Sequence, residues 1–225
     1  DLLSFITYVS QILTSLMMLS MLFLQFTRAR ASGQRVLEVL DTEVDIKNPI
    51  NPITDVSDGS IDFENVSFRY KSGCAEDVLS NINLNIKSGE TIGIIGSTGS
   101  AKTTLVQLIP RLYDVTKGIV KVGGRDVKEY GLEPLHDSVA MVLQKNTLFS
   151  GTIRENMKWG NPGATDEEII EACKQAQAWD FISKKTEGLD SEVSQGGANF
   201  SGGQKQRLCI AREIKKKPKI IILDD

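Results

Sequence analysis

The run Thr91-Ile92-Gly93-Ile94-Ile95-Gly96-Ser97-Thr98-Gly99-Ser100-Ala101-Lys102-Thr103-Thr104 decides how the rest of the chain is read. Its apolar start, Thr91 to Ile95, predicts a strand running straight into a loop of small residues. Beyond the loop, Leu105, Leu108, Ile109 and Leu112 recur at the i, i+3, i+4, i+7 spacing of an amphipathic helix. Strand, small-residue loop, Lys-Thr and helix in that order suit phosphate binding: backbone N–H groups can close around the β- and γ-phosphates, and the helix start adds partial positive charge. Gly96, Ser97, Thr98, Gly99, Ser100, Ala101, Lys102, Thr103 and Thr104 are therefore the expected cradle. Lys102 supplies a point charge, and Thr103 places a hydroxyl where Mg²⁺, shared with the phosphates, needs an oxygen ligand. Ala101 departs from GxxxxGK[ST], where Gly is usual; it is small and helix-compatible, so binding is expected to survive. Taken alone, the loop could also be a glycine-rich turn without chemistry, and it does not say which nucleotide it holds.

Outward from the loop, the 225 residues fall into two unlike parts. From Leu2 to Thr27 there is no charged side chain; after Arg28 the chain is rich in Lys, Glu, Asp and Gly. About 20 apolar residues cross a bilayer as a helix, so Leu2 to Phe26 is long enough to span one, and too long for an ordinary core helix. The segment lacks the basic start and the cleavage site of a signal peptide, and Arg28, Arg30 and Arg35 place its end in the cytosol. Ser4, Thr7, Ser10, Gln11, Thr14, Ser15 and Ser20 interrupt the span. They fit a helix lining a polar pathway, and equally hydroxyls bonded to neighbouring helices or to their own backbone. Val36, Leu37 and Leu40 continue the helical spacing among charges, as a cytosolic stalk. Asn48 to Gly59, with two Asn-Pro pairs, reads as a linker. The expected division is a membrane helix and stalk over 1–41, a linker over 42–59 and a globular domain over 60–225.

The net charge of −3, without a basic stripe, gives no reason to expect nucleic acid as a partner. Cys74, Cys173 and Cys209 are widely spaced and read as reduced, mostly buried residues, not as metal ligands.

Further on, Asn199-Phe200-Ser201-Gly202-Gly203-Gln204-Lys205-Gln206-Arg207 precedes a helical pattern through Leu208, Ala211 and Ile214, and the apolar run Ile220 to Leu223 ends in Asp224-Asp225. The first resembles the ABC (ATP-binding cassette) signature, with Phe200 in place of the usual Leu; the second resembles Walker B. With the phosphate loop they resemble the ABC superfamily over essentially the whole chain. That resemblance implies an α/β fold: a P-loop NTPase core with antiparallel β and α-helical subdomains, preceded by one long transmembrane and stalk helix. It implies ATP and Mg²⁺ as cofactors, with Asp224 joining Thr103 at the metal. Ser201, Gly202, Gly203 and Gln204 would close over ATP held by a second cassette.

Other positions follow by the same resemblance. Tyr70 sits where an aromatic stacks on adenine, although alone it could be a strand core residue. Gln144, ending the apolar run Val139 to Leu143, matches the Q-loop glutamine that touches Mg²⁺ or the attacking water. Thr147 to Asn156 is similar to the segment after the Q-loop in exporters, and Glu192 to Gly197 to their X-loop, with Gln195 for the usual Glu. Thr165 and Glu168 form a capping box opening a helix through Ile169, Ile170 and Cys173. The D-loop and switch histidine of the family are expected beyond Asp225; His136 precedes the Q-loop and reads as a surface residue.

In active ABC sites a Glu follows the Walker B aspartate as general base, with Lys102 and Gln144 completing the catalytic set; here that residue is Asp225. One methylene fewer withdraws the carboxylate by about a bond length, and misplacement near 1 Å can cost about a hundredfold in rate. Asp-Asp beside an intact signature resembles the degenerate-site subunit of bacterial heterodimeric exporters. The expectation is an ATP-hydrolysing subunit of a plasma-membrane exporter, its cassette in the cytoplasm, paired with a distinct second half-transporter. A homodimer is the alternative for the partner, and a mainly regulatory cassette or a soluble ABC ATPase the alternatives for function. The cargo, a small molecule, lipid or peptide, is not written in these residues.

Overall fold

The computed structural model describes residues 1–71 and 76–224, so Cys74 and Asp225 lie outside the described residues. It divides into two compact units, one ending at Lys47 and the other beginning at Asn48.

The first unit is a single helix, α1 (Leu2–Leu40), of 39 residues with no buried side chain. At 1.5 Å per residue it is roughly 58 Å long, nearly twice the hydrocarbon thickness of a bilayer. Its apolar part is long enough to cross a membrane, and the helix continues without a break through the charged residues beyond it. The hydroxyls of Thr7, Thr14, Ser15 and Ser20 each donate to the carbonyl four residues back, at 2.8–3.0 Å. Of the two readings of these polar residues, bonding to the helix's own backbone holds for those four.

The second unit is layered. An antiparallel sheet of order β2-β1-β3-β4 is built from β1 (Ile61–Phe68), β2 (Leu79–Ile86), β3 (Lys117–Val122) and β4 (Arg125–Asp126). Ile61 and Phe63 alternate inward, but Val66, Ser67 and Phe68 are buried in succession. The cause is an irregularity in the ladder at Asn65, whose φ of 50° is left-handed. Asn tolerates that region, and the extra twist re-aims the strand. Gly118 of β3 passes so close to this kink that a Cβ there would lie 2.4 Å from the Glu64 and Asn65 carbonyls. The sheet buries Phe63, Val66, Phe68, Val120 and Val122 against Leu108, Ile109, Tyr130 and Leu135.

Val56 is fully buried in this same core, and the Ile53 backbone pairs with Tyr130. Residues 48–59, read as a linker, are thus packed onto the globular unit, because Ile53 and Val56, which follow the second proline, find a core to fill, while Ile50 between the prolines stays exposed.

A parallel pair, β5 (Val139–Val142) and β8 (Ile220–Leu223), joins the first core to a second. Val139, Ile220 and Ile222 belong to the first; Val142 belongs to the second. The second core is helical: α4 (Ile153–Lys158), α5 (Asp166–Gln175), α6 (Trp179–Ile182) and α7 (Gly202–Ile214) bury Ile153, Met157, Ile169, Ile182 and Leu208. The capping box expected at Thr165 and Glu168 is present, and a matching box at Thr152 and Glu155 starts α4. A short ribbon of β6 (Gly151–Thr152) and β7 (Glu192–Val193) closes this body.

Three local expectations are corrected. Thr91 to Ile95 forms no strand: it has no ladder neighbour among the described residues, and Ile92, Ile94 and Ile95 are exposed. A groove of about 380 Å³ lies between this segment and β8, lined by Ile92, Ile94 and Ile220 to Asp224. A strand needs a paired edge, and apolar composition alone does not supply one. The helix after the loop, α2 (Lys102–Gln107), stops well short of Leu112. Pro110 lacks an N–H and disfavours helical geometry at Ile109, so the chain turns with Leu108 and Ile109 still buried. His136 is half-buried, its Nε2 2.9 Å from the Pro110 carbonyl, and not a free surface residue.

Candidate functional site

The loop from Gly96 to Ser100 is exposed between the antiparallel sheet and α2. The Ser100 N–H donates to Ser97 O at 3.2 Å, closing a turn, and Gly99 at its tip has a φ of +83°. A Cβ at Gly96 would sit 2.5 Å from Ser100 Oγ, so a larger residue there would turn the Ser100 hydroxyl out of its place beside Lys102. Ala101 caps α2 with φ 60° and ψ 23°. Helix compatibility, expected from its size, is therefore not what this position asks of it. It must hold a left-handed backbone, which costs an L-residue about 1–2 kcal/mol and glycine almost nothing.

Lys102 folds back over this loop. Its Nζ donates to Gly96 O at 2.8 Å, Ser97 O at 2.9 Å and Ser100 Oγ at 3.3 Å. An ammonium held by carbonyls around a concave loop concentrates positive charge where an anion would enter. Thr103 Oγ1 donates to the Asp224 carboxylate at 2.9 and 3.2 Å, joining residues 121 positions apart. The next residue, Thr104, is buried, and its hydroxyl lies 2.9 Å from the Tyr70 hydroxyl.

The β5–β8 pair explains how Asp224 arrives there. Parallel register sets Val142 beside Leu223, and Asp224 N–H donates to Val142 O at 2.9 Å. Gln144 therefore leaves β5 at the same end at which Asp224 leaves β8, and its side chain is exposed. Carboxyl ends of parallel strands are where α/β sheets place ligand-binding groups.

Tyr70 is half-buried and packs its ring at 83° to Phe68 and at 88° to Tyr113. The ring packs against the core, as the strand-core reading expects, and the hydroxyl reaches α2 through Thr104.

The signature residues sit at the start of α7, on the helical body. Ser201 Oγ accepts from Gln204 N–H at 3.3 Å, and Gln204 Oε1 accepts from Ser201 N–H at 3.0 Å. This reciprocal capping leaves Gly202 and Gly203 exposed, with open space where their side chains would be. The substitution at Phe200 is accommodated: the ring is buried, 6.2 Å from Phe181, with Lys185 Nζ 4.8 Å from its centroid. Arg207 Nη1 donates to the Gln177 carbonyl and anchors α7 to the end of α5.

The structure also exposes roles that local reading missed. Asn156, 1% exposed, bonds the backbone of Phe149 and Thr152 and so fixes the loop after the Q-loop. The loop presents Phe149 stacked on Trp159 at 4.6 Å, both exposed. Arg154 Nε and Nη2 donate to the Asp190 carboxylate, which is held below the usual aspartate range, and Nη1 donates to Asp166. Lys215, its side chain almost fully buried, bonds Glu168 at 2.6 Å and lowers that carboxyl's pKa. An Asn in a helix four residues after its cap, or a Lys just past a helix end, carries no local mark of such partners.

Comparison with known proteins agrees with this geometry. The family model "ABC transporter" matches residues 79–225. The uncharacterized ABC transporter ATP-binding protein YfiB of Bacillus subtilis (strain 168) is 44% identical over all 225 residues, which cover 39% of its own length. A relative in Staphylococcus aureus (strain NCTC 8325 / PS 47), carrying the provisional name multidrug export ATP-binding/permease protein, is 45% identical over 84% of this chain and 33% of its own. A bacterial Atm1-family ABC exporter solved with ATP bound superposes with a TM-score of 0.80 and 31% identity, covering 96% of this chain and 38% of that one. The chain thus spans about two-fifths or less of the length of these proteins. A phosphate-type loop, a carboxylate delivered by a parallel strand and a capped Ser-Gly-Gly-Gln helix, matched by the family model over most of the chain, have one common explanation: this chain belongs to the ABC transporter family.

Proposed function

We propose that this chain is the ATP-binding and ATP-hydrolysing part of an exporter subunit, coupling hydrolysis to efflux across the cell membrane. The observation that carries the reading is the meeting of Lys102, Thr103 and Asp224, drawn from two distant segments to one end of a parallel strand pair. A hydroxyl and a carboxylate side by side are the hard oxygen donors that Mg²⁺ takes, its remaining positions going to phosphate oxygens and water. Thr103 and Asp224 would hold that ion, with Gln144 adjoining; residues 96–104 would hold the phosphates, and Tyr70 would carry the adenine. When bound, Mg²⁺ supplies charge neutralisation of the transferred phosphoryl group. Lys102 adds a fixed positive charge to the same oxygens, Gln144 orients the attacking water, and Asp225 accepts its proton.

The exposed Ser201, Gly202 and Gly203, with the half-buried Gln204, serve a second cassette's ATP, so the working unit is a dimer of half-transporters. Because Asp225 is one methylene shorter than the usual base, its own site turns over slowly and the partner is a distinct subunit. The long apolar helix α1, shared with a fused membrane domain, anchors the subunit and leaves the cassette in the cytoplasm. The names and folds of the relatives support export. The cargo class, small molecule, lipid or peptide, is set by membrane helices outside this chain.

The test is Mg²⁺-dependent phosphate release by the full-length protein in proteoliposomes, alone and co-purified with its partner. Lys102→Ala and Thr103→Val should each reduce release at least a hundredfold, roughly the loss of one preorganised charge-stabilising group. Unchanged turnover in both would refute the site. Turnover of the lone subunit equal to that of the pair would refute the distinct-partner reading and leave the site standing.

A further inference from the structure

Tyr113 follows the turn that ends α2, and its ring lies 5.2 Å from Tyr70 at 88° and 5.6 Å from Phe68 at 52°. Phe68 is a core residue, 3% exposed, whereas Tyr113 is 39% exposed and outside the buried cluster. Tyr70 is thereby held at two points: its hydroxyl by Thr104 of α2, at 2.9 Å, and its ring against two perpendicular neighbours that also touch each other. Edge-to-face pairs of this kind fix ring orientation as well as adding contact energy.

We propose that Tyr113 is a positioning residue for nucleotide binding, setting the plane of Tyr70 so that its ring meets the base of the nucleotide. The inference rests on the reading of Tyr70 as the adenine platform. A core role alone does not account for Tyr113, whose ring stands at the margin of the buried cluster, two-fifths exposed, yet approaches Tyr70 in an oriented, perpendicular contact. The arrangement also ties base recognition to phosphate recognition. Thr104, which holds the Tyr70 hydroxyl, is adjacent in α2 to Lys102 and Thr103, so one short helix carries both ends of the site.

The experiment measures binding of ATP and of inorganic tripolyphosphate, which has no base, to the full-length protein and its variants. Tyr113→Leu should weaken ATP by about two- to tenfold, the range for one aromatic pair, and leave tripolyphosphate unchanged. Tyr113→Phe, which keeps the ring, should restore ATP affinity. Tyr70→Leu should show the same selective loss, and Tyr113→Leu added to it should cost little more, because coupled residues are not additive. Equal loss of both ligands in Tyr113→Leu means general damage to the loop and overturns the proposal. Loss in Tyr70→Leu without loss in Tyr113→Leu overturns the positioning role alone. No selective loss in Tyr70→Leu overturns the platform reading, and the inference falls with it.

Discussion

Replacing Asn156 by alanine should be among the most damaging single changes in the helical body. Its Oδ1 accepts the Phe149 N–H at 2.9 Å, and its Nδ2 donates to the Phe149 and Thr152 carbonyls at 2.8 and 2.9 Å. The residue is 1% exposed, so water does not replace the lost partner without rearrangement. Three bonds at about 1 kcal/mol net each give about 3 kcal/mol. For a domain of this size that is roughly a 6–12 °C fall in Tm, measured by differential scanning fluorimetry of the detergent-solubilised chain. Asn156→Asp sharpens the test. The carboxylate keeps the acceptor facing Phe149 N–H but sets a negative charge against two carbonyls, which raises its folded-state pKa above the unfolded value. The penalty is then full at pH 7 and shrinks as pH falls toward about 3.9, because the protonated acid sheds its charge and can donate one of the two lost bonds. The deficit of Asn156→Asp relative to the parent chain should therefore shrink on acidification, and that of Asn156→Ala should not. A fall below about 2 °C for Asn156→Ala, or identical pH behaviour of the two variants, would show that the loop is not held by this amide.

Three other outcomes follow from the geometry. Ala101→Gly removes a left-handed strain of about 1–2 kcal/mol against about 0.4–1 kcal/mol of added unfolded-state freedom, whereas Gly99→Ala imposes strain at a φ of +83° with no steric contact to confuse it. The two variants should shift Tm in opposite directions, and a fall in both would contradict the backbone argument. Burial pushes the Cys173 thiol up to about 12 and raises that of Cys209, so in a Cys74→Ser background neither should react with Ellman's reagent at pH 8 until the chain is unfolded. Rapid native labelling would refute their burial. The Lys215 bond lowers the Glu168 pKa, so its stabilisation is complete above about pH 4.3 and is lost as pH falls through the lower folded value. Glu168→Gln should flatten the acid limb of a Tm-versus-pH curve below about pH 4; an unchanged limb would remove Glu168 as its source.

Read alone, the sequence settled what depends on neighbours along the chain. The capping box at Thr165 and Glu168 and the helix through Leu208 and Ala211 close hydrogen bonds or an apolar face within a few residues, and each is present. The early stop of α2 has a local cause in Pro110, which the apolar spacing through Leu112 overrode in the sequence reading. Only the tertiary structure decided the rest. That Thr91 to Ile95 stands beside a groove instead of in a ladder depends on whether an edge lies next to it. That Ala101 must be left-handed is set by where the loop has to enter α2. The pairing of Thr103 with Asp224 depends on β5 and β8 aligning in parallel, and the hold of Tyr113 and Thr104 on Tyr70 depends on packing across the first core. Residue identity names the groups able to do the chemistry, but distances between segments a hundred residues apart are fixed by strand register and core packing, which no local pattern encodes.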